Sequence, residues 1–186
     1  MKNLTLFLFI IVSLFIKNVT AQDFAKKGIW EVAGRINYTS TTSVNNGITA
    51  DNSLDAFSLH TPVYYFIIDG LAVGFIPGYE NLSYGGSSSS ILNLEGGIAY
   101  NFETESVAYP YIEGRFGFNT SSNGNTRNGI IWSLGGGVKI RIGGNVLIGF
   151  GLDYEQRTLE SSDNIGGRDG SNSFGIDIGF AVFFGQ

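Results

Sequence analysis

The sequence predicts an all-β fold, an eight-stranded antiparallel transmembrane up-and-down β-barrel. Three observations lead there. Large apolar residues alternate with small or polar ones at a period of 2 in eight separate stretches, which places successive side chains on opposite faces of a strand. The small face is dominated by glycine and alanine, not by the charged residues that cover soluble sheets. Charged residues make up only 15% of the chain, against roughly 25% in ordinary globular domains.

Residues 1–21 read as a secretory signal peptide. Lys2 gives a positive start, Leu4–Ile16 an apolar run, and Val19-Thr20-Ala21 a small-residue cleavage site. That run is shorter than the ~20 residues a spanning helix needs. Cleavage before Gln22 removes Lys2 and Lys17 and moves the net charge from −5 to −7. Residues 22–186 then form one barrel domain. The acidic balance and the lack of a Lys/Arg cluster argue against nucleic acid. With no cysteine there is no disulfide framework and no thiolate metal site.

The first strand is expected over Gly28–Thr39, with Trp30, Val32, Ile36 and Tyr38 on one face and Glu31, Ala33, Arg35 and Asn37 on the other. A Ser/Thr/Asn-rich loop at 40–53 leads to Leu54–Phe66, where Phe57, Leu59, Val63 and Tyr65 oppose Ser58, His60 and Tyr64. Asp69-Gly70 makes a tight turn, since glycine tolerates positive φ. The third strand starts at Leu71, and Pro62 and Pro77 each remove a ladder donor, so a bulge or irregular pairing is expected at both. After a loop at 84–90, Ile91–Phe102 alternates. The acidic turn Glu103–Ala108 then leads to Tyr109–Asn119. A loop at 120–128 precedes Gly129–Ile142, the turn Gly143-Gly144-Asn145 and the strand Val146–Thr158. A last loop at 159–172 precedes the terminal strand Ser173–Phe184, where only Phe183 breaks the alternation. Strands of about ten to thirteen residues cross a bilayer when tilted. Long and short connections alternate, so all the long ones fall at one end.

Which face meets which medium follows from the small face. Glycine weakens an exposed strand but fits where eight strands converge on a narrow axis. The large face carries no charge, and aromatic residues collect near both strand ends, as in interfacial girdles. Trp30, Tyr65, Tyr100, Phe102 and Phe184 mark one rim, and Tyr38, Phe57, Tyr79, Phe118, Tyr154 and Phe174 the other. Closure follows, because an open edge in hydrocarbon would leave backbone groups unpaired.

The pattern Asp177-x-Gly179-x-x-Val182-x-Phe184 resembles the C-terminal assembly signal of outer-membrane barrels, with Gly185-Gln186 extending past the usual terminal aromatic. Residues 22–186 resemble the small OmpX/OmpA-type barrel domains of the porin-like "outer membrane protein beta-barrel domain" family. The resemblance implies a Gram-negative cell outer membrane, export across the inner membrane, and insertion by the barrel-assembly machinery.

The ionisable residues of the inner face are Glu31, Arg35, His60, Glu80, Glu95, Glu113, Arg115, Lys139, Arg141, Asp153, Glu155 and Asp177. An eight-stranded barrel has room for little besides its own side chains, and buried charges persist when paired. These residues are therefore expected to fill the lumen as a charge network. Glu95 should face Arg115 across neighbouring strands, and Arg35 should approach Asp177 where the barrel closes. Carboxylates outnumber the permanent cations seven to four on this face, so internal water or protonation should hold the surplus.

His60 is the only histidine, with Ser58 beside it on the same face. A Ser–His hydrolase at a membrane surface would need both to face lipid, so no catalytic site, cofactor or metal is expected. The expected role is structural or surface-binding, with outer-membrane lipid around the barrel and any extracellular partner met through the loops. A monomer is expected. The alternatives are a narrow porin-like channel, an outer-membrane lipid hydrolase and a soluble lipocalin-like carrier.

Overall fold

The computed structural model describes residues 24–45, 48–84, 87–123, 125–160 and 168–185. The expected signal peptide, residues 1–21, lies outside them. The described strands are β1 (Trp30–Asn45), β2 (Ile48–His60), β3 (Val63–Ile68), β4 (Leu71–Tyr84), β5 (Ser87–Asn101), β6 (Ala108–Asn123), β7 (Asn125–Gly143), β8 (Val146–Glu160) and β9 (Arg168–Phe184). All pairings are antiparallel, and β1 closes onto β9 from Trp30↔Phe184 to Val44↔Gly170.

Nine segments make eight staves, because β2 and β3 are two halves of one. Both halves lie between β1 and β4 in a single register, with Arg35↔His60 and Val32↔Val63 on one side and His60↔Gly78 and Val63↔Phe75 on the other. The gap, Thr61-Pro62, faces Pro77. Neither proline has an N–H, so two ladder bonds are missing at one level. The Thr61 N–H donates to the Pro77 carbonyl (2.9 Å) and the Ala33 N–H to that of Pro62 (2.9 Å). The irregular pairing expected at the two prolines is this gap, and neither proline makes a bulge. Pairing breaks at Pro62 without a slip, and Pro77 stays in β4 opposite Leu94.

The register fixes the shape. Paired residues followed around the barrel from Val32 through Val63, Phe75, Gly96, Phe116, Trp132, Gln156 and Asn172 return to β1 at Thr42, ten residues further on. At ~3.3 Å per residue and ~4.8 Å between strands, that stagger tilts the staves by about 41° and sets a backbone radius of about 8 Å. Side chains from opposite walls therefore meet at the axis. Backbone also approaches backbone closely. A Cβ at Gly117 would strike the Leu94 carbonyl oxygen and lie 2.6 Å from the Cα of Glu95.

The described residues of the polar stretches expected as loops at 40–53, 84–90, 120–128 and 159–172 are strand. β1 runs to Asn45 and β2 begins at Ile48, and β6 and β7 reach 16 and 19 residues. Ser, Thr and Asn mark where the staves leave the apolar medium, whereas an antiparallel ladder continues wherever two backbones can exchange N–H and C=O bonds.

The large face looks outward along every stave, with Ile36, Phe57, Leu94, Phe118, Leu134 and Ile178 among its exposed side chains. Between the two aromatic rims no outward position carries a charge. The rims are built as ring pairs. Trp30–Tyr65 (4.9 Å) and Tyr100–Phe102 (4.9 Å) lie at the base, and Tyr38–Phe57 (5.2 Å) and Trp132–Tyr154 (5.7 Å) towards the hairpin end.

Candidate functional site

The base of the lumen is apolar. Phe24, Phe66, Tyr109, Leu147 and Phe183 are buried in one cluster there. Phe24 lies edge-on to Tyr109 (4.1 Å) and to Phe183 (5.0 Å). Phe183, the exception to the alternation of the last strand, is thereby explained: it points inward and helps to stopper the barrel. The segment before β1 is bound across this end by backbone hydrogen bonds, Gly28 N–H to Phe66 O (2.9 Å), Phe66 N–H to Ile29 O (2.9 Å) and Gly70 N–H to Ala25 O (2.7 Å). Lys26 pairs with Glu103 and with Asp69 (3.2 Å), which ties the segment to both neighbouring turns.

These turn groups shift each other. The Lys27 backbone N–H (2.9 Å), and then the Lys26 ammonium, hold the Asp69 carboxyl below the ordinary aspartate range. The Glu103 carboxylate, and then Asp69, hold the Lys26 ammonium above the usual lysine range. A depressed Asp69 contributes to folding above its unfolded pKa, and that contribution is lost as pH falls through the folded value. The Lys27 amide resonance is therefore expected to titrate with a midpoint below ~3.9, and Asp69→Asn should remove the titration.

Above the stopper come paired charges. Lys139 donates to both carboxylate oxygens of Glu31 (2.7 Å each) and lies over the Tyr111 ring (5.0 Å). Arg35 forms a two-pronged bridge to Glu113 (2.8 and 2.7 Å). Arg115 donates to Ser133 (2.6 Å) and to Asp153 (3.3 Å), and stands 3.5 Å from Glu113 and 4.0 Å from Glu95. Asn37 donates to both Asp153 (2.6 Å) and Asp177 (2.9 Å). Nearer the hairpin end, Arg157 bridges Glu80 (2.9 Å) and Glu155 (2.8 Å).

Several of these differ from the sequence expectation. Arg35 and Asp177 come close, lining one small void, but the strand partner of Arg35 is Gly179 and its charge is taken by Glu113 across the lumen. Glu95 and Arg115 do meet across β5 and β6 as expected, at 4.0 Å and on the diagonal, since Glu95 pairs with Gly117 and Arg115 with Gly97. Arg141 leaves the lumen group and lines the cleft at the base. Arg157, which the sequence reading left out, lies inward and buried. Its position on the inner face of β8, two residues beyond Glu155, was the signal available.

A layer between the Arg157 bridge and the Arg35–Arg115 group holds polar atoms without hydrogen-bond partners. His60 Nδ1 and Nε2, both amide atoms of Asn93 and of Asn119, and both Glu95 oxygens are buried and make no hydrogen bond. The His60 ring rests on Gly78, where a Cβ would sit 2.8 Å from Nε2. The Ser58 hydroxyl donates to neither ring nitrogen of His60, although both residues are buried, so the two form no nucleophile–base pair. Of the terminal pattern, Asp177 and Gly179 lie inward, Val182 pairs with Val32 and Val146, and Phe184 stands opposite Trp30.

An outward apolar belt, two aromatic rims, complete closure and a charged, side-chain-filled interior define a class, the eight-stranded transmembrane β-barrel. The chain has the fold of the small outer-membrane barrels. The crystal structure of Neisserial surface protein A superposes with a TM-score of 0.66 at 17% identity, covering 84% of this chain and 99% of that one. The outer membrane protein OprG from Pseudomonas aeruginosa gives 0.51 at 13% identity, covering 88% and 99%. No family model matches the sequence, and no curated protein does. The likeness is one of fold.

Proposed function

We propose that the protein is a bacterial outer-membrane barrel that serves as a closed scaffold, presenting its long hairpin ends to the cell exterior. Its first residues would be a cleaved export signal, and its base, with the short turns, would face the periplasm. Lipid surrounds the belt, and a partner, where there is one, meets the polar hairpins. The observation that carries this reading is the obstruction of the lumen. The Phe24–Phe66–Phe183 stopper closes the base, and the void between Glu31, Arg35, Lys139 and Asp177 measures about 20 Å³. A pore needs a continuous file of water, and side chains bonded across this interior interrupt one.

A narrow passage for ions or very small solutes is the second reading. The unpartnered His60, Asn93, Glu95 and Asn119 favour it, because buried polar groups of this kind ordinarily bind water. Planar-bilayer recordings separate the two. The closed scaffold is expected to give silent membranes from protein that shows heat-modifiable gel migration. Stable unitary currents from the same preparation, enlarged in Phe24→Ala, would replace the scaffold with the passage.

A further inference from the structure

Above the stopper, where β8, β9 and β1 meet, the lumen wall is made of small residues, among them Ala33, Gly149 and Ala181. They leave the void of about 20 Å³ that Glu31, Arg35, Tyr111, Lys139 and Asp177 close from the other side. A Cβ on Gly149 would come no closer to a neighbour than 4.0 Å, at Cγ of Lys139, so this glycine faces open space. Asp177 keeps 5% of its surface and Arg35 7%. Both point inward within the apolar belt, where an internal space is what leaves surface uncovered.

Three polar groups converge on this space with capacity to spare. The Tyr111 hydroxyl lies 2.5 Å from where a Cβ on Gly151 would stand, and Asp177 Cβ lies 3.5 Å from the same point. Gly151 is the β8 partner of Asp177, so the hydroxyl and that side chain are near enough to share one small molecule. Asp177 accepts from Asn37 at one oxygen (2.9 Å), whereas a carboxylate has room for about four such bonds. Lys139 meets the two oxygens of Glu31 (2.7 Å each), which leaves one of its three N–H groups.

Size and charge then choose the occupant. About 10–15 Å³ is the least space that admits a water, and a buried water makes about three hydrogen bonds. Two carboxylates and two cations line the void, so an ion of either sign would meet its like. An apolar guest would make none of these bonds. We propose that this void is a binding site for one ordered water, which donates to Asp177 and accepts from Lys139, with the Tyr111 hydroxyl as its third partner. The water ties the last stave to the Lys139–Glu31 pair of β7 and β1, so the seam is braced from inside as well as along its backbone ladder. A single enclosed water carries no current, and the site stands under either reading of the lumen.

The test is solution NMR of the folded barrel in micelles, deuterated except at alanine methyl groups. Water-to-methyl cross-relaxation with the sign of a long-lived water is expected at Ala33 and Ala181, which line the void. It is not expected at Ala72 and Ala99, which are packed in the apolar cluster of the base. Gly149→Ala puts a methyl into the space. It should abolish the signal at Ala181 and lower the urea midpoint of the folded gel band, because Asp177 and Lys139 lose their bridge. A dry void predicts the reverse, since filling space and replacing a strand glycine both stabilise. Heat-modifiable migration confirms that the variant folds. No cross-relaxation at Ala33 and Ala181, or a raised midpoint for Gly149→Ala, would overturn the assignment. Methyl shifts that follow sodium at constant ionic strength would also overturn it, by putting a cation in the water's place.

Discussion

Glu113→Ala is expected to destabilise the barrel by about 3–5 kcal/mol, the cost of leaving a buried charge without its partner. Glu113 accepts both prongs of Arg35 and stands 3.5 Å from Arg115, and all three side chains are nearly inaccessible. Its loss strands the Arg35 guanidinium at mid-lumen, where it cannot turn to solvent, while Arg115 keeps Asp153 and Ser133. The urea midpoint of the folded gel band in lipid vesicles reads the effect. Glu103→Ala, which removes an exposed partner of Lys26 at the base, should move that midpoint far less, because surface pairs are screened by water. Equal shifts for the two would show that the lumen charges are solvated and that Arg35 finds a substitute partner.

Ile178→Arg tests the opposite face and should cost about 2–4 kcal/mol at the bilayer midplane. Ile178 is exposed, sits in the middle of β9 and pairs with Ile36 and Phe150, so the new charge has apolar neighbours on both sides. Refolding into vesicles should yield little of the fast-migrating band. Phe174→Arg, at the aromatic rim of the same strand, should refold in good yield because the side chain can reach the headgroups. An Ile178→Arg barrel that folds as well as the parent would place this surface in water.

Much of the barrel was readable because a strand between two media writes its environment into every second residue. Ile176, Ile178 and Phe180 against Gly175, Asp177 and Gly179 state both the strand and its facing. The stave ends were less readable. Thr41, Thr42 and Ser43 look like loop by composition, yet they pair with β9, since backbone bonding does not depend on side-chain polarity. The cross-lumen partners were invisible to counting along hairpins. Arg35 and Glu113 lie 78 residues apart, on staves brought face to face only by closure at a particular stagger. The cleft at the base was hidden for a similar reason. Phe24 and Lys26 precede the first strand, where no periodicity marks them, and their partners come from three other parts of the chain.

The stopper takes one ring from the first described residues, Phe24, and another from the end of the last stave, Phe183. Neither end supplies the stopper alone, so its two rings meet only in a barrel whose first and last staves are joined. A sheet with that seam open would lack its floor, because the seam that joins β1 to β9 also brings the two rings together.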